Sequence, residues 1–351
     1  MKLLHSALRF RVNYFSDLGR HQVVVWMPGD TPPVDAQVDV GPKIEHEVPT
    51  TAFKHDIAPL KLGRFYPSQL LHADTAPGPM FRVMKLNDTS FVANFSHPLQ
   101  GRIFSIDSGK SDVGTEPVGQ VGQLLEWSGM ETQMQTPTEF VGADSFSRED
   151  ETPDAEFYAQ PRKLIHVDAV CARRIQALYR TVLPENARVL DLMAGWRSHL
   201  PDTVQSAVGL GLNAEELADN PQLAERIVHD LNADASLPFA DASFDAVVCT
   251  VSFEYLTQPE KIVAEARRVL KPGGMFVATL SNRNFPPKVI KLWMQLHPME
   301  RMAWVGMLIK NAGFKKVETY LERGLKRPKD DRYADRLTES DPLFATWGVA
   351  P

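Results

Sequence analysis

From residue 187 onward the chain reads as short apolar runs that alternate with helical segments, and this alternation limits the possible folds more than any other feature. The runs are "ARVLDL", "SAVGLGL", "IVHDL", "FDAVVCTVSF" and "GGMFVATLS". Runs that are apolar without interruption belong to strands covered on both faces, and strands alternating with helices predict a parallel sheet between helical layers. The intervening helices carry their own signals. "VDAVCARRIQALYRTVL" has helical spacing with Asp168 placed as N-cap, and "PEKIVAEARRVL" opens with proline in its first turn. "AEELADNPQLAERI" is expected to be mostly helix, and 286–312 helical as well. "FKKVETYLE" and "PLFATWGVA" are expected to close the sheet as an antiparallel hairpin.

The first third has a different texture. "LRFRVNYF", "HQVVVWM", "FRVMKL" and "TSFVANF" are strand-like runs separated by Gly, Pro, Asp and Asn, which predicts a mostly β unit over 1–106. Residues 107–155 are rich in Gly, Ser, Thr, Pro and acids and read as a linker, pinned midway by the apolar piece "LLEWSGM". The α/β unit is expected to occupy 156–351. With 351 residues, 43% of them hydrophobic, the chain can bury the cores of two such units. A net charge of −6 argues against nucleic acid as a partner. Only Cys171 and Cys249 are present, each in an apolar run, which excludes a disulfide framework or a cysteine-rich zinc site. The ten histidines show no compact ligand spacing, so no metal is expected. No apolar run is long enough to span a membrane, and "MKLLHSALRFRVNYF" lacks the apolar core of a signal peptide, so a cytoplasmic location is expected.

In open α/β sheets, ligands sit beyond the carboxyl ends of the central strands. The loop there is "VLDLMAGWRSHLP", residues 189–201, with an acid, Asp191, at the strand end and one glycine, Gly195. It can be a tight turn capped by a carboxylate or a cofactor loop. "KPGG" at 271–274 reads as a helix stop and strand start without chemistry, and "ERGLKRPKDDRYADR" as a solvated loop.

The ordered pieces "RVLDLMAGW", "VGLGLNAEEL" and "LPFADASFDAVVCTVSFEYLTQPEKIVAEARRVLKPGGMFVATLSNR" resemble the class I S-adenosylmethionine-dependent methyltransferases, in particular the type 11 group. The resemblance implies a doubly wound, mostly parallel, seven-stranded Rossmann-like sheet with S-adenosyl-L-methionine across the ends of its first four strands. It implies cofactor contacts from Asp191, Leu192, Met193, Ala194, Gly195 and Arg197 in the first loop. Gly211, Leu212 and Asn213 would contribute after the second strand, Asp230, Leu231 and Asn232 near adenine, and Thr250 at the end of the fourth strand. Met193 and Arg197 stand where the family loop has glycines, and Gly211 where it has the ribose-binding acid. These departures recur together in a subgroup whose loop reads D-L-M-x-x-W-x-S-H-L-P. Methyl transfer requires alignment of an acceptor and at most one general base. The candidate catalytic residues are Glu254 and Tyr255 after the fourth strand, with Ser281, Asn282 and Arg283 after the fifth. Tyr158, Arg162 and His166 could be brought inward by "FYAQPRKLIH" folding as a lid.

"EHEVPTTAF", "FYPSQLL" and "FRVMKLNDTSFVANFSHPLQGRIFSI" resemble the second half of FKBP-type peptidyl-prolyl isomerases of the SlyD subgroup, which implies a small, mostly β domain over 1–106. The family's first half has no counterpart between Tyr14 and Gly41, so isomerase activity is not expected, although an extended peptide could still bind there. The sequence thus predicts a methyltransferase with an FKBP-like module. The alternative is a non-catalytic relative acting as a peptide-binding or chaperone-like protein. An NAD-dependent oxidoreductase is disfavoured because the G-x-G-x-x-G turn and the ribose acid are both missing.

Overall fold

The first two apolar runs form a hairpin: β1 (Ala7–Phe15) and β2 (Arg20–Pro28) pair antiparallel, from Ala7 opposite Pro28 to Phe15 opposite Arg20. The structure is a computed structural model and describes residues 7–29, 40–72, 76–111, 113–131 and 137–351. Next come β3 (Glu45–Pro49), β4 (Phe65–Pro67), β5 (Met80–Leu86), β6 (Ser90–Asn94) and β7 (Phe104–Ser111). Two helices, α1 (Asp154–Phe157) and α2 (Ala169–Val182), lead into β8 (Arg188–Leu192) and β9 (Ser206–Gly211). The chain continues through α3 (Ala214–Ala218), β10 (Glu225–Val228), β11 (Phe244–Thr250), α4 (Pro259–Val269) and β12 (Leu270–Leu280). It ends with α5 (Lys291–Gln295), α6 (Pro298–Asn311), β13 (Lys315–Arg323) and β14 (Leu343–Val349).

Strands β8 to β12 are parallel, and β14 pairs antiparallel with both β12 and β13, as the final hairpin was expected to do. Successive side chains on each strand serve opposite helical layers. Leu190, Val247 and Phe276 join the core with Ile262 of α4 and Val305 of α6, whereas Val189, Val248 and Val277 join Ile175 and Tyr179 of α2. The order β10-β9-β8-β11-β12-β14-β13 is the doubly wound sheet anticipated from the sequence. It does not stop at seven strands, however, for β2, β1 and β7 continue it to ten.

The reason is the edge that β13 would otherwise expose. Strand β2 pairs parallel to it, from Glu318 opposite Arg20 to Arg323 opposite Val25. The run from Val23 to Met27 is buried throughout, as a strand inside a sheet requires. Leu8, Phe10, Val12 and Val23 therefore share one core with Val317 and Leu321. The boundary drawn at residue 106 falls inside β7. The expected separate β domain is narrower: β3 to β6 form an insertion between β2 and β7, a four-stranded antiparallel sheet of order β3-β6-β5-β4, and the isomerase resemblance of this region finds no support. Its core of Phe53, Tyr66, Phe81 and Phe91 is its own. Residues 30–39 of the span compared with the isomerase's first half lie outside the described residues, as do 1–6 of the N-terminal segment.

The described part of the expected linker is packed rather than loose. Leu124, Met130 and Phe140 are buried in the main core, and Trp127 stacks near Phe344; residues 112 and 132–136 of that segment lie outside the described residues. Two helical expectations shorten. Helix α3 ends at Ala218, since Asn220 precedes Pro221 and the residue before proline avoids helical backbone. Pro298 likewise splits 286–312 into α5 and α6. Among the described residues no helix is long and apolar enough to cross a membrane.

The inserted sheet is fastened to α6 by a buried ion pair. Arg64 Nε donates to Glu300 Oε1 at 2.8 Å, the amide of Phe65 donates to the same oxygen at 3.0 Å, and the Arg64 guanidinium also reaches the Gln295 carbonyl. Both side chains are about 2–3% exposed. Removing one partner strands the other charge away from water. Glu300→Ala should therefore lower stability by about 3–5 kcal/mol in chemical denaturation, whereas the apolar pair Arg64→Met with Glu300→Leu should cost far less. Equal losses in the two variants would contradict this.

Candidate functional site

The loop after β8 is shaped from beneath. Asp191, 3% exposed at the end of the strand, accepts a hydrogen bond from Ser198 Oγ at 2.5 Å. Asn220 donates to Ser198 Oγ at 3.0 Å and to the Gly195 carbonyl at 2.9 Å. Burial pushes the Asp191 carboxyl up to about 7, the Ser198 hydroxyl offsetting only part of this. Met193 keeps the left-handed backbone a glycine would adopt there, at φ 56°. The loop then crosses the end of β9. The Ala194 amide donates to the Leu210 carbonyl at 2.9 Å, and a Cβ built on Gly211 would overlap the Ala194 carbonyl oxygen. Glycine at 211 is thus required by the loop, and the acid expected there from the resemblance has no room.

The cleft above these strand ends gathers Asp191, Met193, Ala194, Gly195 and Arg197 from the loop. Gly211, Leu212, Asn213, Asp230, Leu231, Asn232 and Thr250 line it from the neighbouring strand ends. Leu192 is the exception among the expected cofactor contacts: its side chain is 1% exposed and belongs to the core beneath β8. Several of the others are committed to the scaffold. The Asn213 side chain caps α3 by accepting from the amides of Glu215 and Glu216, and its amide donates to the carbonyls of Tyr158 and Ala159. Asn232 donates to Asp154 Oδ2 at 2.7 Å and to the Tyr255 carbonyl, and accepts from the Thr257 amide at 2.8 Å. Its side chain is therefore a brace. Asp230 Oδ1 accepts from the amides of Asn232 and Ala233, and Thr250 shares a hydrogen bond with Tyr179.

Residues 154–166 fold over this cleft as a strap. Arg162 lies 4.3 Å above the Phe157 ring and 5.0 Å from that of Phe285, its amide donates to Glu216 Oε1 at 2.6 Å, and the Trp196 indole donates to the Leu164 carbonyl at 3.0 Å. The strap places Tyr158, Arg162 and His166 on the cleft wall, where Tyr255 also lies. Burial, reinforced by the Asp154 charge, raises the Tyr158 phenol well above its ordinary value, so at neutral pH it keeps its proton. The Tyr255 hydroxyl accepts from the Phe285 amide at 2.8 Å. Arg197 is exposed at the rim, 4.4 Å above the Trp196 ring.

Other candidates lie elsewhere. Glu254 is fully buried and does not line the cleft; its carboxylate makes no hydrogen bond to another side chain and faces the Arg301 charge at longer range. Ser281 is buried, its Oγ accepting from the Arg283 amide. Arg283 and Asn284 line an adjoining hollow that shares Leu164, Ile165, His166 and Phe285 with the main cleft. The Arg283 guanidinium is held there by Asp331 at 2.8 Å and Asp341 at 2.6 Å. Sequence reasoning missed Glu216, Trp196, His199 and Asp154 on the cleft wall. Glu216 had a signal: with Asn213 as N-cap it is the third residue of α3, the position from which an acidic side chain turns back toward the chain before the helix.

Residues 194–278 match the family model described as a methyltransferase domain. Relatives include the ubiquinone/menaquinone biosynthesis C-methyltransferase UbiE of Bartonella henselae, 32% identical over 37% of this chain and 52% of the relative. The malonyl-[acyl-carrier protein] O-methyltransferase of Geobacter sulfurreducens is 33% identical over 36% of this chain and 48% of its own. The chain therefore spans about half the length of these curated relatives. A solved SAM-dependent methyltransferase of Thermotoga maritima, described as a possible histamine N-methyltransferase, is similar at 16% identity over 52% of this chain and 89% of that one, with a TM-score of 0.38.

Glu254 supplies a pH test of its burial. Desolvation moves its carboxyl from 4.5 up to about 7, so between those values the folded chain holds a proton that the unfolded chain releases. Stability must fall as pH rises through that window, by about 3 kcal/mol for this group. Glu254→Gln should be close to wild type at pH 4 and more stable by about that amount at pH 8.5, measured by denaturant unfolding. A constant difference across pH would show that the carboxyl is already ionised below pH 5.

Proposed function

We propose that the α/β part of the chain is a methyltransferase that uses S-adenosyl-L-methionine. The observation that carries the reading is the convergence of two independent facts on one place. The methyltransferase family match begins at Ala194, inside the loop, and the only sequence-nominated cofactor contact missing from the cleft that loop roofs is Leu192. The relatives named for C- and O-methyl transfer support the reaction type, and the acceptor is left open.

The residues fit the cofactor. Gly195 leaves the backbone bare where a ligand must come close, and the Asp191 carboxylate stands at the strand end suited to an ammonium group. Asn213, Asp230 and Leu231 frame the side where the nucleoside would lie. When bound, the cofactor supplies an activated methyl group on a sulfonium, so the chain need only align the acceptor and exclude water. The strap from Asp154 to His166 performs the exclusion. Arg197 at the rim can pair with the ligand carboxylate. Tyr158 and Tyr255 hold their protons at neutral pH and so orient an acceptor through hydrogen bonds; among the nominated residues on the wall, His166 is the one suited to accept a proton.

Isothermal titration of the purified chain with S-adenosylmethionine and with S-adenosylhomocysteine tests the proposal. Saturable binding of both is expected, and Asp191→Asn should weaken it about 10-fold or more by removing a charge-assisted partner. Absence of heat and of any thermal shift at millimolar ligand would refute the reading.

A further inference from the structure

A nucleoside ligand presents two neighbouring ribose hydroxyls, which a carboxylate receives better than any neutral group because both are donors. In dinucleotide-binding sheets that acid follows the second strand. Here that place is Gly211, and the Ala194 carbonyl occupies the space a side chain would need. Any acid serving the hydroxyls must therefore come from elsewhere on the cleft wall, where the carboxylates are Asp154, Asp191, Glu216 and Asp230. Asp154 is held by Arg148 at 2.7 Å and Lys288 at 3.2 Å, and Asp191 is buried against Ser198. Asp230 is turned to the amides that follow it at the end of β10, one strand further out.

Asp191 and Asp230 each also keep one oxygen without a hydrogen bond to the described residues. Asp191, however, is sunk under the loop and Asp230 stands one strand further out, whereas Glu216 stands beside the loop itself. Its Oε1 accepts the Arg162 amide, while Oε2 has no hydrogen bond to the described residues and stands 3.1 Å from the position a Cβ on Gly195 would take. The next residue on the helix, Leu217, lies against Gly211. The free oxygen thus projects beside the bare backbone of the loop, one helical turn beyond the place the acid has vacated.

We propose that Glu216 is the hydroxyl-binding acid of this cleft, its Oε2 receiving the ribose diol while Oε1 holds the strap. The inference rests on the methyltransferase reading, because the diol is the cofactor's. It also links strap and ligand: a bound diol and the Arg162 amide share one carboxylate, so occupancy and strap closure favour one another.

The test is calorimetry on the full chain with two probes, S-adenosylhomocysteine and its 2′-deoxy counterpart, for wild type and Glu216→Gln. Gln keeps an oxygen for the Arg162 amide and so preserves the strap. The wild type should prefer the hydroxylated probe about 10-fold or more, and Glu216→Gln should lose most of that preference while binding the 2′-deoxy probe about as well as wild type does. An unchanged preference in the variant overturns the inference, as does an equal loss for both probes, which would mark Glu216 as a strap anchor only. The wild-type comparison stands alone if the variant does not fold: equal affinity for the two probes also overturns the inference. A wild type that binds neither probe refutes the methyltransferase reading itself.

Discussion

The seat of the Ala194 carbonyl against Gly211 is the contact on which the cleft depends. It joins the ends of β8 and β9 through a loop that no side chain at 211 could tolerate. Beneath it, the Asp191, Ser198 and Asn220 hydrogen bonds hold the loop down; above it, Trp196 reaches the strap through the Leu164 carbonyl. A close approach of backbone to backbone costs nothing in side-chain entropy and leaves no adjustable atom, so it sets the roof of the cleft firmly. With Met193 in the backbone a glycine would take, the loop follows a path that excludes an acid at 211.

The same economy governs the larger architecture. A sheet that ended at β13 would present unpaired amides and carbonyls, and β2 satisfies them in parallel register. That pairing draws the N-terminal segment into the main core and leaves the insertion between β2 and β7 to fold on its own aromatic cluster. The buried Arg64–Glu300 pair then fixes the insertion on the first turn of α6, far along the sheet from the cleft lined by β8, β9 and β11. Leu124, Met130 and Trp127 pack the segment 113–131 against the main core.

The α/β half was largely legible, because unbroken apolar runs and N-caps such as Asp168 are local signals that tertiary packing reinforced. The N-terminal strands were legible as strands. Their membership of the same sheet was not, although the unbroken run from Val23 to Met27 already implied cover on both faces. Among site residues, those on the first loop were found because Asp191 and Gly195 carry their meaning in sequence order. The bracing partners of Asn232, Asp154 and Thr257, could not be read from the sequence because they are brought to it only by the strap and the α4 connection. The Leu192 side chain lies in the core because strand alternation points it away from the cleft beside it. Glu254 sits next to Tyr255 of the cleft wall in sequence and wholly within the core in space.

The most direct measurement is on Gly211→Asp, which restores the residue the resemblance leads one to expect. With the loop seated over Gly211, the added side chain must displace the Ala194 carbonyl, so the variant should melt at a lower temperature than wild type and lose S-adenosylhomocysteine binding by calorimetry. A variant that melts like wild type and binds that ligand more tightly would show that the loop leaves room for the acid, and would contradict the arrangement from which the cleft has been derived.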